Sequence, residues 1–317
     1  MEHSLDLTYH WAGFSALVVF VIAYAFVMAE EFTHLRKSKP VVLAAGLIWG
    51  MIAIAYSNTP HYEMVEHEIR HSFLEYTELA FFLLVAMTYI NALEERNVFN
   101  SLKSWLIKNQ FSYRQLFWIT GVLAFFLSPL ADNLTTALVL CAVVVAVGSS
   151  SPKFVGLACV NIVVAANAGG AFSPFGDITT LMVWQAGQLD FLQFFALVIP
   201  SVVNYIIPAS IMHFFVSDHK PDVAETSVTI KYGGKTIILL GLLTIVTAVS
   251  FHNFLHLPPV FGMMTGLAYL QLYSFYIKIS VKDIEEQKYD FFENVARVEW
   301  DTLLFFFGVI LSVGGLG

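Results

Sequence analysis

The 317-residue chain is 57% apolar and 13% charged, whereas soluble domains carry about 25% charged residues, and its mean hydropathy is +0.70. This excludes an ordinary soluble globule and points to an all-α polytopic protein whose main partner is the lipid bilayer. The formal charge of -8 gives no footprint for nucleic acid, and says little else, because in a membrane protein the positions of Lys and Arg carry the information.

The opening Met1-Glu2-His3-Ser4-Leu5-Asp6 puts no basic residue ahead of the first apolar run, so the first span is expected to stay rather than be cleaved as a signal peptide. Apolar runs close to the roughly 20 residues needed for a crossing cover 12–30, 41–57, 73–92, 191–216, 235–253, 258–278 and 299–317. The run 113–148 is too long for one helix, yet Arg114 and Lys153 flank its two ends. It is predicted to fold as a hairpin returning to its own face, either re-entrant or fully crossing. The run 154–187 is predicted to be one span interrupted at Gly169 to Gly176, with halves too short to cross separately.

Threaded this way, every Lys and Arg except Arg70 falls on one side. That side is expected to be cytoplasmic, with the N-terminus outside. Ser217 to Lys235, with Asp218, Lys220, Pro221, Asp222 and Glu225, reads as a cytoplasmic linker. An internal echo pairs Glu75-Tyr76-Thr77-Glu78-Leu79-Ala80-Phe81-Phe82-Leu83 with Glu299-Trp300-Asp301-Thr302-Leu303-Leu304-Phe305-Phe306-Phe307. The two copies enter the membrane from opposite sides, the mark of an inverted-repeat transporter. The expected organisation is first-repeat scaffold spans in 1–112, an ion-site region in 113–216, the linker 217–235, and in 236–317 the start of an inverted second repeat that is incomplete at Gly317.

Two polar clusters interrupt the apolar wall: Ser128-Pro129-Leu130-Ala131-Asp132-Asn133-Leu134-Thr135-Thr136, and Asn167-Ala168-Gly169-Gly170-Ala171-Phe172-Ser173-Pro174-Phe175-Gly176-Asp177-Ile178-Thr179-Thr180. Each sets a carboxylate, an amide and hydroxyls beside helix breakers, and an ionisable group inside a membrane is by default a functional candidate. Carboxylate, amide and hydroxyl oxygens suit a hard cation, and unwound backbone adds carbonyls. The bland alternative makes Asp132 and Asp177 plain N-caps of the half-helices they precede, and the two roles are compatible. No Lys or Arg is threaded to mid-membrane, so a cation is favoured over an anion. Burial also favours protonation of a carboxylate, so cation and proton are expected to compete for these aspartates.

Other residues carry weaker signals. Glu75 and Glu78 lie near the start of a span, with Asp301 in the corresponding region of the second copy; the bland reading is interfacial placement. His67-Glu68-Ile69-Arg70-His71 fits the helical H-E-x-x-H zinc-hydrolase pattern, set beside a pH-responsive or interfacial role for His71. His213, His252 and His256 lie near span ends, while Asn161, Asn204, Trp184 and Gln185 suit interhelical hydrogen bonds. Cys141 and Cys159 sit inside apolar runs with no ligand spacing, so neither a disulfide framework nor a resident metal is expected. No cofactor is expected beyond the transported ions.

Through His71 to Asn91, Ser128 to Thr136, Asn167 to Thr180 and, more weakly, Glu299 to Gly315, the chain resembles the NhaD-type sodium/proton antiporters of the ion transporter superfamily. The resemblance runs along the whole chain and is carried most specifically by Ala131 to Thr136 and Gly169 to Asp177. It implies a re-entrant hairpin with its tip at Asp132-Asn133, a helix broken at Gly169 to Gly176, and exchange of sodium or lithium for protons across a bacterial inner membrane. It also implies a homodimer and an elevator-like movement. By the same resemblance Ser128, Asp132, Asn133, Thr135, Thr136, Asn167 and Asp177 are first choices for the ion path, joined on chemistry by Gly169, Gly170, Ser173 and Thr179; His71, Glu78 and Asp301 come second. Family members continue through a second hairpin and broken helix, so this chain is expected to be either a fragment or the product of an interrupted coding region, and in the latter case not to transport alone. The other functions in view are a sodium-coupled anion or arsenite carrier of the same superfamily, a membrane zinc hydrolase using His67, Glu68 and His71, and a non-transporting assembly subunit. Of these, only the hydrolase is an enzyme, and the leading expectation is a transporter.

Overall fold

The computed structural model describes residues 9–57, 59–60, 62–109, 111–148, 151–220, 228–280 and 289–317. The opening hexapeptide, the linker's Pro221, Asp222 and Glu225, and Lys282 and Lys288 of the threading lie outside them. The described residues form helices and no strand, in the order α1 (Trp11–Met28), α2 (Glu30–Thr33), α3 (Ser38–Tyr56), α4 (Tyr62–Glu95), α5 (Val98–Lys108), α6 (Tyr113–Ala131), α7 (Asn133–Val147), α8 (Pro152–Gly170) and α9 (Ile178–Gln185). A 3-10 segment, Phe191–Leu197, leads into α10 (Val198–His213), followed by α11 (Gly234–Leu255), α12 (Pro259–Ser280), α13 (Phe291–Ala296) and α14 (Trp300–Gly314). Eight helical stretches among them are long and apolar enough to cross a membrane. The chain is a multi-pass membrane protein.

Two compact units divide the chain, one made of residues 1–84 and 297–317 and the other of residues 85–296. In the first, α1 is apolar on every side. It buries only Ala12, Ala16 and Ala23 and leaves Phe14, Leu17, Val18, Val21, Ile22 and Phe26 exposed, as suits a helix whose outer solvent is lipid. α3 and α14 meet closely because Gly308 has no Cβ to strike the backbone of Val41. The Trp49 indole donates to the Leu311 carbonyl at 2.8 Å, and Phe73 and Tyr76 stand edge-on to Phe307.

In the second unit the core runs between α6, α7, α8 and α10, around Phe117, Leu140, Phe154 and Ile162. α6 starts in a capping box in which Ser112 Oγ accepts from the Gln115 backbone and Gln115 Oε1 accepts from the Ser112 backbone. α11 and α12 form a tight pair. Gly262 and Gly266, four residues apart on α12, face Ala248 and Thr244 of α11 so closely that any side chain would collide, which is the small-residue route to helix contact in lipid. Tyr89 of α4 completes that contact by donating to the Gly266 carbonyl at 2.7 Å and accepting from Thr244 Oγ1 at 2.9 Å.

Three expectations change here. The span expected at 73–92 is the second half of a 34-residue helix beginning at Tyr62, because the polar stretch through His67 and His71 is itself helical. α8 runs 19 residues through Asn167 to Gly170 and is by itself long enough to cross, so only α9, with 8 residues, is a short half. The linker is partly docked rather than simply solvated: Val228 N–H donates to Ser104 Oγ, Lys231 N–H to the Arg96 carbonyl and Tyr113 N–H to the His219 carbonyl.

Candidate functional site

The hairpin tip and the helix break are stitched together. Asp132 separates α6 from α7 with φ 53° and ψ 160°, a region for which glycine is the usual residue and which costs a non-glycine about 1–3 kcal/mol. Its side chain offsets part of that cost by capping α7, with Oδ1 accepting from Thr135 N–H at 2.8 Å and Oδ2 from Thr135 Oγ1 at 2.8 Å. Pro129 sits in the last turn of α6.

The opposite break runs from Gly170 to Asp177. Gly170 and Gly176 approach so closely that a Cβ on either would strike the other's backbone, and Gly169 lies against the carbonyl of Phe125. Glycine is therefore required by contact, not by backbone angle. Asp177 caps α9, with Oδ1 accepting from Thr179 N–H at 2.8 Å and from Thr179 Oγ1 at 2.7 Å.

Asn133 joins the two. Its backbone N–H donates to the Gly176 carbonyl at 2.9 Å, and its side-chain Nδ2 donates to Asp177 Oδ2 at 2.6 Å and to Asn167 Oδ1 at 3.1 Å. Ser173 Oγ donates to the Pro129 carbonyl at 3.0 Å and Ser128 Oγ to the Ala166 carbonyl at 2.6 Å. Thr180 Oγ1 donates to the carbonyls of Ser173 and Asp177. The sequence candidates therefore sort by geometry. Asn133, Asn167, Asp177 and Thr179 form one hydrogen-bonded group, and Asp132 with Thr135 follows directly on its edge. Ser128, Ser173, Gly169 and Gly170 brace backbone against backbone, and the buried Thr136 hydroxyl has no hydrogen-bond partner.

Electrostatically, two helix N-termini and two C-termini meet at these breaks. The N-terminal amides of α7 and α9 are taken by the aspartates that cap them, while the carbonyl ends of α6 and α8 favour positive charge. Neither residues 128–136 nor residues 167–180 contain Lys, Arg or His. Such a place can hold a small cation among carboxylate, amide and carbonyl oxygens.

The second-choice residues belong to the first unit. Asp301 Oδ1 accepts from Ser38 Oγ at 2.5 Å, Glu78 is half-buried midway along α4, and His71 is exposed with its Nδ1 3.6 Å from Glu75 Oε1. Of the H-E-x-x-H residues, His67 and Glu68 are exposed, as is His71, and among the described residues no group of three His, Cys, Asp or Glu is placed to hold a metal ion. Cys141 and Cys159 are free thiols.

Sequence reasoning missed the network around Arg96. It treated this residue as one more cytoplasmic loop charge, but Arg96 is wholly buried. The signal available was the adjacent Glu95-Arg96 pair just before Asn97, whose φ of 59° ends α4 and starts α5.

Crossing helices, together with a hairpin tip and a broken helix whose polar ends meet, with Asp132, Asn133 and Asp177 half-buried and Asn167 and Thr179 exposed rather than enclosed as the sequence suggested, are the architecture of a membrane transporter. The model of the family described as "Citrate transporter" matches residues 11–317. The Na(+)/H(+) antiporter NhaD of Vibrio cholerae is 52% identical over 99% of this chain and 70% of its own length, and that of Alkalimonas amylolytica is 52% identical over 99% and 69%. Sodium/proton antiporter 1 of Arabidopsis thaliana is 31% identical over 94% of this chain and 51% of its own length. The chain belongs to the NhaD-type antiporters, within the family whose model spans almost all of it.

Proposed function

We propose that this protein exchanges sodium, or lithium, for protons across a bacterial inner membrane, as a homodimer with its N-terminus outside. Its residues 113–216 act as the ion-site region, and residues 1–112 supply scaffold spans. Sodium sits among the oxygens of Asp132, Asn133, Thr135, Asn167, Asp177 and Thr179, and protonation of the aspartates displaces it, so one seat serves both ions in turn. The positive-inside distribution of Lys and Arg supports the orientation, and the relatives' being Na(+)/H(+) antiporters supports the ions.

The observation that carries the reading is the Asn133 amide, which ties Asp177 and Asn167 together across the two breaks at 2.6 and 3.1 Å. A cation transferred from water needs such a ready-made set of oxygens. An anion of the kind in the matching family's description would instead need cationic side chains, and the two breaks contain none.

The test is sodium-driven proton release from proteoliposomes holding the protein as encoded by its own gene. Release is expected in the parent and lost in Asp132→Asn and in Asp177→Asn. Undiminished exchange in both variants would overturn the reading.

A further inference from the structure

The C-terminal end of α9 is buried in a cluster of aromatic rings that the ion site does not explain. Trp184 is wholly buried. Its ring lies 5.6 Å from Phe175, 6.0 Å from Phe191 and 5.1 Å from His252 of α11, the last edge to face at 74°. Because α9 has only 8 residues, it is a two-turn rod with Asp177 capping one end and Trp184 near the other. Whatever fixes Trp184 therefore helps to set the direction of Asp177, beside the direct bonds from Asn133 and Thr179.

Two neighbouring donors on this rod are left over. The Trp184 Nε1 and Gln185 Nε2 atoms are buried without a hydrogen-bond partner. An indole N–H can only donate, and a buried donor without an acceptor is rare enough in a folded protein to require an explanation. Two in succession mark a C-terminal end of α9 that ring packing holds without side-chain hydrogen bonds, unlike the Asp177 end, which Asn133 and Thr180 tie down.

We infer that Trp184 and His252 are positioning residues for exchange: their ring contact clamps the outer end of α9, and with it Asp177, in one of two positions, and it parts each time the ion changes sides. The inference rests on the exchange reading above for the ion and for which end is outer. The clamp itself is a property of α9 and α11.

Replacing Trp184 by histidine sets two imidazoles against each other where the rings now stand 5.1 Å apart, a spacing a zinc ion can bridge with Zn–N bonds of about 2.0–2.1 Å. In proteoliposomes of the Trp184→His protein, micromolar zinc is expected to stop sodium/proton exchange and a chelator to restore it, with no such effect on the parent or on Trp184→His combined with His252→Ala. Exchange in the parent together with zinc-indifferent exchange in Trp184→His overturns the clamp and leaves the exchange reading intact. A parent with no sodium-coupled proton flux overturns the exchange reading instead.

The clamp is then decided by a second arm that needs neither flux nor the Trp184 variant. Thr179→Cys, in a chain with Cys141 and Cys159 replaced by Ala, is labelled by an impermeant maleimide applied outside. His252→Ala is expected to speed labelling about tenfold, the size of a shift of about 1.4 kcal/mol between two positions. Separately, in proteoliposomes of a chain that keeps Thr179, His252→Ala is expected to lower the maximal exchange rate while leaving the half-saturating sodium concentration unchanged. An unaltered labelling rate overturns the clamp.

Discussion

Glu95 and Asp177 are both carboxylates set among the apolar helices of the second unit, and their neighbours differ in kind. Glu95 Oε1 lies 2.8 Å from Arg96 Nη2, its Oε2 accepts from Asn294 Nδ2 at 2.6 Å, and the Arg96 guanidinium stacks 4.8 Å over the Tyr289 ring. The oxygens of Asp177 are met instead by the neutral donors Asn133 and Thr179. A carboxylate beside its own guanidinium has its charge balanced by the fold, and its network is closed. One served by amides and hydroxyls has no cationic side chain among the partners that hold it. The first arrangement bolts the end of α4 to α13 and to the loop before α11. The second ties the hairpin tip to the start of α9, and it is the one the proposed exchange would use.

The largest expected effect attacks the open member of this comparison. Asp177→Asn keeps the capping oxygen for α9 but removes the charge, so sodium-driven proton release should fall by about a hundredfold or more while unfolding stability stays within about 0.5 kcal/mol. Transport in proteoliposomes and chemical denaturation of the same preparation check the two halves together. Next comes the closed member. Arg96→Met leaves the largely buried Glu95 carboxylate without its guanidinium and should cost about 3 kcal/mol of stability. Adding Glu95→Gln should recover much of that loss, which a double-mutant cycle of denaturation midpoints would reveal.

A smaller effect is expected where the two breaks meet. Asn133→Ala removes the amide linking Asp177 to Asn167 and should raise the half-saturating sodium concentration about tenfold, the worth of one or two hydrogen bonds, as read from exchange rates across a sodium series. Smallest is Ser128→Ala. It deletes one hydroxyl bond to the Ala166 carbonyl and should lower stability by about 1 kcal/mol, as followed by thermal unfolding in detergent.

The breaks were legible in the sequence because each combines a carboxylate with Pro or paired Gly inside an apolar run, a pattern that few structural needs produce. Asp132 at the hairpin tip and Asp177 at the start of α9 followed from it directly. The short amphipathic α5 and the small α13 were not legible, being too brief for periodicity to mark. Nor was the start of α4 at Tyr62, where polar residues hide a helix that apolar runs alone cannot reveal. The length of α8 was misjudged because Gly169 and Gly170 read as breakers. They stay helical there, since packing against Phe125 and Gly176 stabilises the turn that propensity disfavours.

What the sequence by itself determined is the solvent and the local punctuation: enough apolar length to require lipid, and two breaks after each of which a carboxylate starts the next helix. Those are short-range properties, set by transfer free energy and by backbone geometry within a few residues. Only the tertiary structure decided that Asn133 reaches across to Asp177 and Asn167, that Ser128 and Ser173 serve carbonyls of the opposite break, and that Arg96 is buried beside Glu95. Each of those contacts joins side chains or backbone brought together by packing, and hydrogen bonds of a few ångströms between distant segments leave no periodic trace along the chain.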